Sequence, residues 1–277
     1  MKEKHVNLFF PQWQGAGKTS ELRKGALEIK EKYMKGQNFL EIAVSDEENE
    51  VIENDILGFT VILQQLKQAN SLIAEEDPSR IFTVGGGCDV EIIPVSYLNH
   101  KLNGDLTVLW IDAHGDLNTP ESSPSKNFHG MPLRALLGEG NQQIGENAFS
   151  KLHPSQLVMI GQRDLDEPEQ NYITEHKIDV LKAEELNDSV EHAVELIKSK
   201  GSDNIYIHID LDALDYDEFP YVMVPAPGGL KTDKLRDFLT RLKDRYHIVG
   251  LSLLEYTSSA EDNIKILTDI IKIGVAL

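Results

Sequence analysis

Short apolar runs rich in β-branched residues alternate along the chain with segments whose apolar positions recur at helical spacing. The runs at 6–10, 81–84, 107–111, 157–160, 205–211 and 248–253 predict strands, since each is brief, apolar and bounded by polar or turn-forming residues. Between them, 50–69 and 189–200 carry apolar residues three and four apart, which predicts amphipathic helices. Strands alternating with helices imply an α/β fold, a three-layer α/β/α arrangement around a mainly parallel sheet covered on both faces. No Pro/Gly/Ser-rich linker and no internal repeat interrupts the pattern, so residues 1–277 are expected to form one catalytic domain.

Several predicted strands run straight into residues that carry chemistry. The first of these, 81–84, leads into G-G-G-C-D; 107–111 leads into D-A-H-G-D; 205–211 contains H-I-D-L-D. Ligands of open parallel sheets bind beyond the carboxyl ends of the strands, so these three tips point at one site. Asp112, His114 and Asp116 occupy alternate positions and project to one side if the backbone stays extended. In N-I-Y-I-H-I-D-L-D the alternation places Tyr206, His208, Asp210 and Asp212 on one face, opposite Ile205, Ile207, Ile209 and Leu211. Four carboxylates and an imidazole packed together repel unless protonated or neutralised by cations. Such donor sets suit hard-to-borderline divalent ions such as Mn²⁺. Any one of these aspartates alone would be better explained as a helix cap. The D-x-H-x-D and D-x-D patterns together favour a metal centre.

These blocks resemble the motifs of the ureohydrolase superfamily, which comprises arginases, agmatinases and formiminoglutamases. W-I-D-A-H-G-D-L-N-T-P at 110–120 is similar to its W-x-D-A-H-x-D-x-N-T-P, and N-F-H-G-M-P at 127–132 to its N-x-H-G-x-P. H-I-D-L-D-A-L-D at 208–215 resembles S-x-D-x-D-x-x-D, while P-G-G-L at 227–230 and L-L-E-Y at 253–256 fall where the family has its G-G-L and its late glutamate. The blocks come in family order over 81–256. The resemblance implies an arginase-like fold and two Mn²⁺ ions bridged by Asp112 and Asp210. Asp116 would complete one site, and His114 with Asp212 the other. Asp116 would also hold the attacking hydroxide, His129 would shuttle protons, and Glu255 would meet the guanidinium.

Two departures bear on function. The family has G-G-D-H-S with a metal-ligating histidine at its first block, and Cys88 stands in that place. Three readings are open: Cys88 ligates one ion, it stands by and leaves one site weak, or the chain is a non-catalytic relative with a degenerate site. Its position favours ligation, although a thiol must first lose its proton. A minority branch, similar to hydroxyarginine amidinohydrolases, also carries Cys there. The second departure is V-M-V-P at 222–225 in place of T-G-T-P, which puts Val224 where a threonine hydroxyl is expected near the guanidinium.

Asn118, Ser123 and Ser125 fall where arginases bind the substrate carboxylate, and Asp166 and Glu169 fall where they read its ammonium group. The expected reaction is hydrolysis of L-arginine or N-hydroxy-L-arginine to L-ornithine plus urea or hydroxyurea. A formiminoglutamate or agmatine hydrolase is the alternative, in which Asp166 and Glu169 lose that meaning. The expected partner is therefore a small guanidino or amidino amino acid.

Composition narrows the rest. A net charge of −19, from 46 acidic and 27 basic residues, excludes a nucleic-acid partner, which needs clustered Lys and Arg. No apolar run approaches the ~20 residues that span a bilayer, and no signal-peptide pattern opens the chain. With one cysteine, a reducing cytoplasmic setting is expected. Members of the family that this chain resembles are often trimers or hexamers, which leaves a homo-oligomer possible, but no feature of this sequence fixes an interface. The acidic run 45–50 is expected to be solvated surface. G-A-G-K-T-S at 15–20 lacks the first glycine of a phosphate-binding loop, since position 12 is Gln12, and is expected to be a surface loop. His208 shares a face with Asp210 and Asp212, either as an extra ligand or second donor or, the favoured reading, as a satisfied histidine lower in the strand.

Overall fold

The computed structural model describes residues 4–47 and 51–277. Among the described residues ten strands occur: β1 (His5–Phe10), β2 (Leu40–Glu41), β3 (Ile52–Glu53), β4 (Ile56–Leu57), β5 (Arg80–Gly85), β6 (Thr107–Ile111), β7 (Leu157–Ile160), β8 (Asp179–Leu181), β9 (Asn204–Ile209) and β10 (His247–Leu253). The helices are α1 (Glu21–Glu28), α2 (Phe59–Glu76), α3 (Ile92–Lys101), α4 (Pro132–Leu136), α5 (Gln142–Gly145), α6 (Glu167–His176), α7 (Ala183–Asp188), α8 (Val190–Lys198), α9 (Thr232–Arg245) and α10 (Lys265–Gly274).

Eight strands form one sheet in the order β2-β1-β5-β10-β9-β6-β7-β8, and every pairing in it is parallel. Period-two alternation sends Leu109, Ile111, Ile205, Ile207 and Ile209 to one face, where α8, α9 and α10 pack on them. Val108, Trp110 and Tyr206 point to the other face, beneath α2 and α3. The sheet is thus covered on both sides, giving the three layers expected. Helix α10 shows why it docks: Ile266, Leu267, Ile270 and Ile271 form a single apolar stripe, and all four are buried. Burying such a side chain stabilises the fold by about 1.5–3 kcal/mol.

Three expectations are corrected here. The helix predicted at 50–69 begins only at Phe59; residues 52–57 form the small β3–β4 hairpin, whose turn residues Asn54 and Asp55 both have positive φ. Asn and Asp tolerate that conformation, and it suits a two-residue hairpin turn. Residues 48–50, with the end of the acidic run and the start of that predicted helix, lie outside the described residues. The strand predicted at 205–211 ends at Ile209, and Leu211–Ala213 forms a 3₁₀ turn. Of the segment 15–20 expected as a surface loop, residues 15–17 are buried, while Lys18 and Thr19 are exposed. Gly15 sits so close to Asp89 that a Cβ there would lie 2.4 Å from its carboxylate. No described helix is long and apolar enough to cross a membrane.

Candidate metal centre

The central strands β5, β10, β9 and β6 are neighbours, so their carboxyl-terminal tips converge. Past β5, the chain turns through Gly85 to Gly87 into a 3₁₀ turn that begins at Cys88. A Cβ on Gly86 would lie 1.7 Å from the Gln12 carbonyl oxygen, so only glycine lets the exits of β1 and β5 touch. After β6, the backbone does not remain extended. The His114 N–H donates to Asp112 Oδ1 at 2.7 Å, and Asp116 adopts φ +53°. Local turns therefore gather this triplet, not the alternation of an extended strand. The same device recurs after β9, where the Asp212 N–H donates to Asp210 Oδ1 at 2.7 Å. Beyond β10, Glu255 has φ +60° and its N–H donates to the Gly86 carbonyl at 2.8 Å. Two non-glycine residues in left-handed backbone at one site mark a place where geometry is enforced against local preference.

The tips bring together all six ligand candidates. Cys88 Sγ lies 3.2 Å from Asp210 Oδ2, and His114 Nδ1 lies 3.0 Å from Asp212 and 3.6 Å from Asp112. Donor atoms fall into groups that would each fit an ion: Asp112 with His114 and Asp212, Cys88 with Asp210 and Glu255, and Cys88 with Asp112, Asp116 and His208. Asp112, Asp116, Asp210 and Asp212 are each at most 4% exposed. Among the described residues, no lysine or arginine forms an ion pair with any of them.

Electrostatics show the cost of this crowd. Burial, then the neighbouring Asp112, pushes Asp116 well above the usual carboxylate range. Asp210 is raised likewise by burial, Asp212 and Asp112, and Asp212 is pushed up to about 6 by burial and Asp112. Burial also lifts the Cys88 thiol, helped by Asp210 and Asp116. Asp112 alone moves down: burial opposes its charge, but hydrogen bonds with His114 and His208 outweigh that. One oxygen of Asp116 has no hydrogen-bond partner. A buried set of acids with an orphaned oxygen and no lysine or arginine fits divalent cations, which satisfy both the charge and the lone pairs.

Above the acids opens a cavity of about 240 Å³, whose lining includes Asn118, Ser123, Ser125, His129, Asp166, Glu169 and Val224. The Asn118 amide donates to Asp166 Oδ2 at 2.8 Å, and the Ser123 and Ser125 hydroxyls lie 3.5 Å apart. Glu169 accepts the N–H groups of Leu117 and Asp166, each at 2.9 Å, so it also braces the loop that carries Asp116 and Asn118. Burial raises Glu169 to about 7. His129 Nδ1 faces Glu255 Oε1 at 3.0 Å, and the Cys88 N–H donates to the same oxygen at 3.1 Å. Burial works against charge on His129, but Glu255 more than offsets it and the pKa rises.

Several participants were not singled out from sequence. Trp110 Nε1 donates to Asp112 Oδ2 at 3.2 Å. The Arg163 guanidinium donates to carbonyl oxygens of Gly161, Asp212, Ala213, Leu214, Ala226 and Pro227, and so ties the Asp212 turn to the loop after it. Asp89 is fully buried with neither carboxylate oxygen hydrogen-bonded. Burial pushes it up to about 7, against the pull of His129. The folded chain therefore keeps a proton on Asp89 that the unfolded chain releases from pH ~4 upward, so stability falls as pH rises from there to about 7. Asp89→Asn should raise the melting temperature of the metal-free chain at pH 8 and leave it nearly unchanged at pH 4, as thermal denaturation at both pH values will show.

Comparison with known proteins agrees with this geometry. The model of the arginase family matches residues 18–269. An arginase of Staphylococcus aureus (strain MRSA252) is 32% identical over 228 residues, covering 80% of this chain and 75% of that protein. The structure of Entamoeba histolytica arginase in complex with L-ornithine superposes with a TM-score of 0.88 at 23% identity, covering 100% of both chains. Formimidoylglutamase from Bacillus subtilis superposes with a TM-score of 0.68 at 16% identity, covering 99% of this chain and 85% of that one. With its sheet order, its acid-bearing strand tips and a family match over most of its length, the chain belongs to the arginase family, whose members are metal-dependent amidinohydrolases.

Proposed function

We propose that this chain hydrolyses the amidine C–N bond of a guanidino L-amino acid, L-arginine or N-hydroxy-L-arginine, giving L-ornithine and urea or hydroxyurea. The observation that carries the substrate class is the direct Asn118–Asp166 hydrogen bond on the cavity wall. The carboxylate and ammonium of an α-amino acid share one carbon, so a donor for one and an acid for the other must adjoin. Asn118 with Ser123 and Ser125 supplies neutral donors, and Asp166 with Glu169 supplies the acids.

Two Mn²⁺ ions would be held by Asp112, His114 and Asp212 on one side and by Cys88, Asp116 and Asp210 on the other. Such ions supply activation of water at neutral pH and stabilisation of developing negative charge. The residues of the chain do the rest. The free oxygen of Asp116 accepts a hydrogen bond from the attacking water and fixes its direction. Glu255, anchored by the Cys88 N–H, faces the guanidinium and holds its carbon above that water. Water adds to the guanidino carbon, the bond from that carbon to the ornithine nitrogen breaks, and the departing amine takes a proton. His129, whose pKa Glu255 raises, is placed to deliver it. Val224 lines the same cavity with a methyl where a threonine would offer a hydroxyl, which removes one hydrogen bond to the guanidino group.

The test is steady-state hydrolysis of L-arginine, N-hydroxy-L-arginine, agmatine and formiminoglutamate by the metal-loaded chain and by Asp166→Ala. Loss of the ammonium reader should raise KM for the two α-amino acids by about tenfold to a hundredfold, the equivalent of ~1.4–2.7 kcal/mol. Hydrolysis confined to agmatine or formiminoglutamate, with no effect of Asp166→Ala, overturns the substrate reading.

A further inference from the structure

At the base of the site, Cys88 and His208 stand in place of the histidine and the serine of the motifs that this chain resembles, one on the turn after β5 and the other on β9. The fold sets these two departures against each other. His208 Nε2 is 3.6 Å from Cys88 Sγ and 3.8 Å from Asp112 Oδ2. Donor atoms of Cys88, Asp112, Asp116 and His208 all lie within 4.8 Å of one another. Around an ion with tetrahedral bonds of about 2.0–2.3 Å, neighbouring donors sit roughly 3.4–3.6 Å apart, so the two His208 spacings nearly fit and any spacing near the 4.8 Å limit would have to close by about 1.2 Å.

The far side of the ring carries a second, independent observation. His208 Nδ1 faces Glu91 Oε2 at 3.6 Å and the Ser252 hydroxyl at 3.5 Å. Glu91 is fully buried, its other oxygen accepts the Tyr206 hydroxyl at 3.1 Å, and Oε2 has no hydrogen-bond partner. Metal-binding histidines present one nitrogen to the ion and the other to such a carboxylate, which fixes the tautomer and the ring orientation. Stacking on Trp110, with ring centroids 3.6 Å apart and planes 15° apart, holds the ring in that plane.

We propose that His208 is a metal ligand, replacing the imidazole lost at Cys88, so that Cys88, His208, Asp112 and Asp116 close one half of the centre as a tetrahedral sulfur–nitrogen–oxygen site. This rests on the reading of the strand tips as a metal centre and deepens it. The two halves then differ in kind. Thiolate and imidazole select a borderline ion of the Zn²⁺ or Co²⁺ class, whereas the oxygen-rich Asp112, His114 and Asp212 side suits a harder ion such as Mn²⁺. On this reading Asp210 serves the oxygen-rich half alone, and the centre prefers one borderline and one harder ion in place of the two Mn²⁺ that the family motifs imply. Glu91 is a positioning residue that acts through His208.

The test is titration of the metal-free, full-length chain with Co²⁺, followed by absorption spectroscopy. The first equivalent should give a near-ultraviolet thiolate-to-cobalt band together with the intense visible bands of tetrahedral cobalt. Cys88→Ser should lose the ultraviolet band. His208→Gln should keep that band, lose the tetrahedral intensity and bind cobalt at least tenfold more weakly. Glu91→Gln leaves the ligand in place and should weaken binding about tenfold to a hundredfold. Circular dichroism identifies any variant that fails to fold, and X-ray absorption of the Zn²⁺-loaded wild type needs no variant: one sulfur at about 2.3 Å in four-coordination is expected. Cobalt bound without a thiolate band or in octahedral form overturns this proposal alone, as does a folded His208→Gln with unchanged spectrum and affinity. A chain that takes up no divalent ion overturns this proposal and the metal centre together.

Discussion

Replacing Asp210 by Asn is expected to cost about a thousandfold in kcat while making the metal-free chain more stable, not less. The activity loss follows from removing a carboxylate proposed as a ligand of the metal centre; a thousandfold corresponds to ~4 kcal/mol, within the several kcal/mol that such a centre supplies to a charged transition state. The stability gain follows from the other side of the same geometry. Asp210 is 3% exposed, and burial together with Asp212 and Asp112 makes its charge unfavourable. Asparagine keeps the oxygen that accepts the Asp212 N–H and removes the charge. A gain of ~1 kcal/mol would raise the melting temperature by about 2–4 °C. Wild type should respond to metal in the opposite sense, since an ion at a thousand times its Kd adds ~4 kcal/mol. Differential scanning calorimetry with and without chelator should thus show a large metal-dependent shift in wild type and a small one in Asp210→Asn. A variant that melts lower than wild type without metal would show that Asp210 is a structural acid and not one side of an ion cage.

Arg163→Ala is expected to destabilise the fold by roughly 3–5 kcal/mol and to lower activity as well, although the residue touches neither proposed ion nor substrate. Its guanidinium fills the space between the 3₁₀ turn of Asp212 and the loop at 226–227, and carbonyl oxygens from both converge on it. Truncation leaves those carbonyls facing one another with no donor. Arg163→Lys should recover only part of the loss, because a single ammonium cannot reproduce the planar fork. Chemical denaturation combined with metal affinity distinguishes this from a surface arginine: both should fall together, and a change within ~0.5 kcal/mol in stability would refute the clamp.

The sequence made part of this legible and left part of it dark for definite reasons. The long buried strands could be read because β6 and β7 are nearly unbroken apolar runs and β10 is apolar at most positions, as expected of strands covered on both faces. Strands β2 and β8 span only two and three residues, too few for any period to show. Asp112 and Asp210 stood out because each follows an apolar strand directly, and Cys88 because it stands where the resembled motif has a metal-ligating histidine. That they meet depends on the sheet order β5-β10-β9-β6, which no local pattern contains. Asp116 and Asp212 reach the site through turns that only coordinates reveal. Asp89, Glu91 and Arg163 were invisible for a related reason. Their meaning lies in what surrounds them: an empty hydrogen-bond shell for Asp89, a histidine ring for Glu91, and converging carbonyls for Arg163. His208 is the sharpest case, since its pattern position suggested a satisfied strand histidine, and the structure aims its Nε2 at Cys88 Sγ and Asp112 Oδ2.

The most direct test of the whole account is ornithine release from L-arginine and N-hydroxy-L-arginine by the chain stripped of metal and then reloaded, with bound ions counted in the same samples. The account predicts no ornithine from the stripped chain and release that rises until two ions are bound per chain. Ornithine formed equally well by the stripped chain, or no ornithine from a chain that holds two ions, would contradict it.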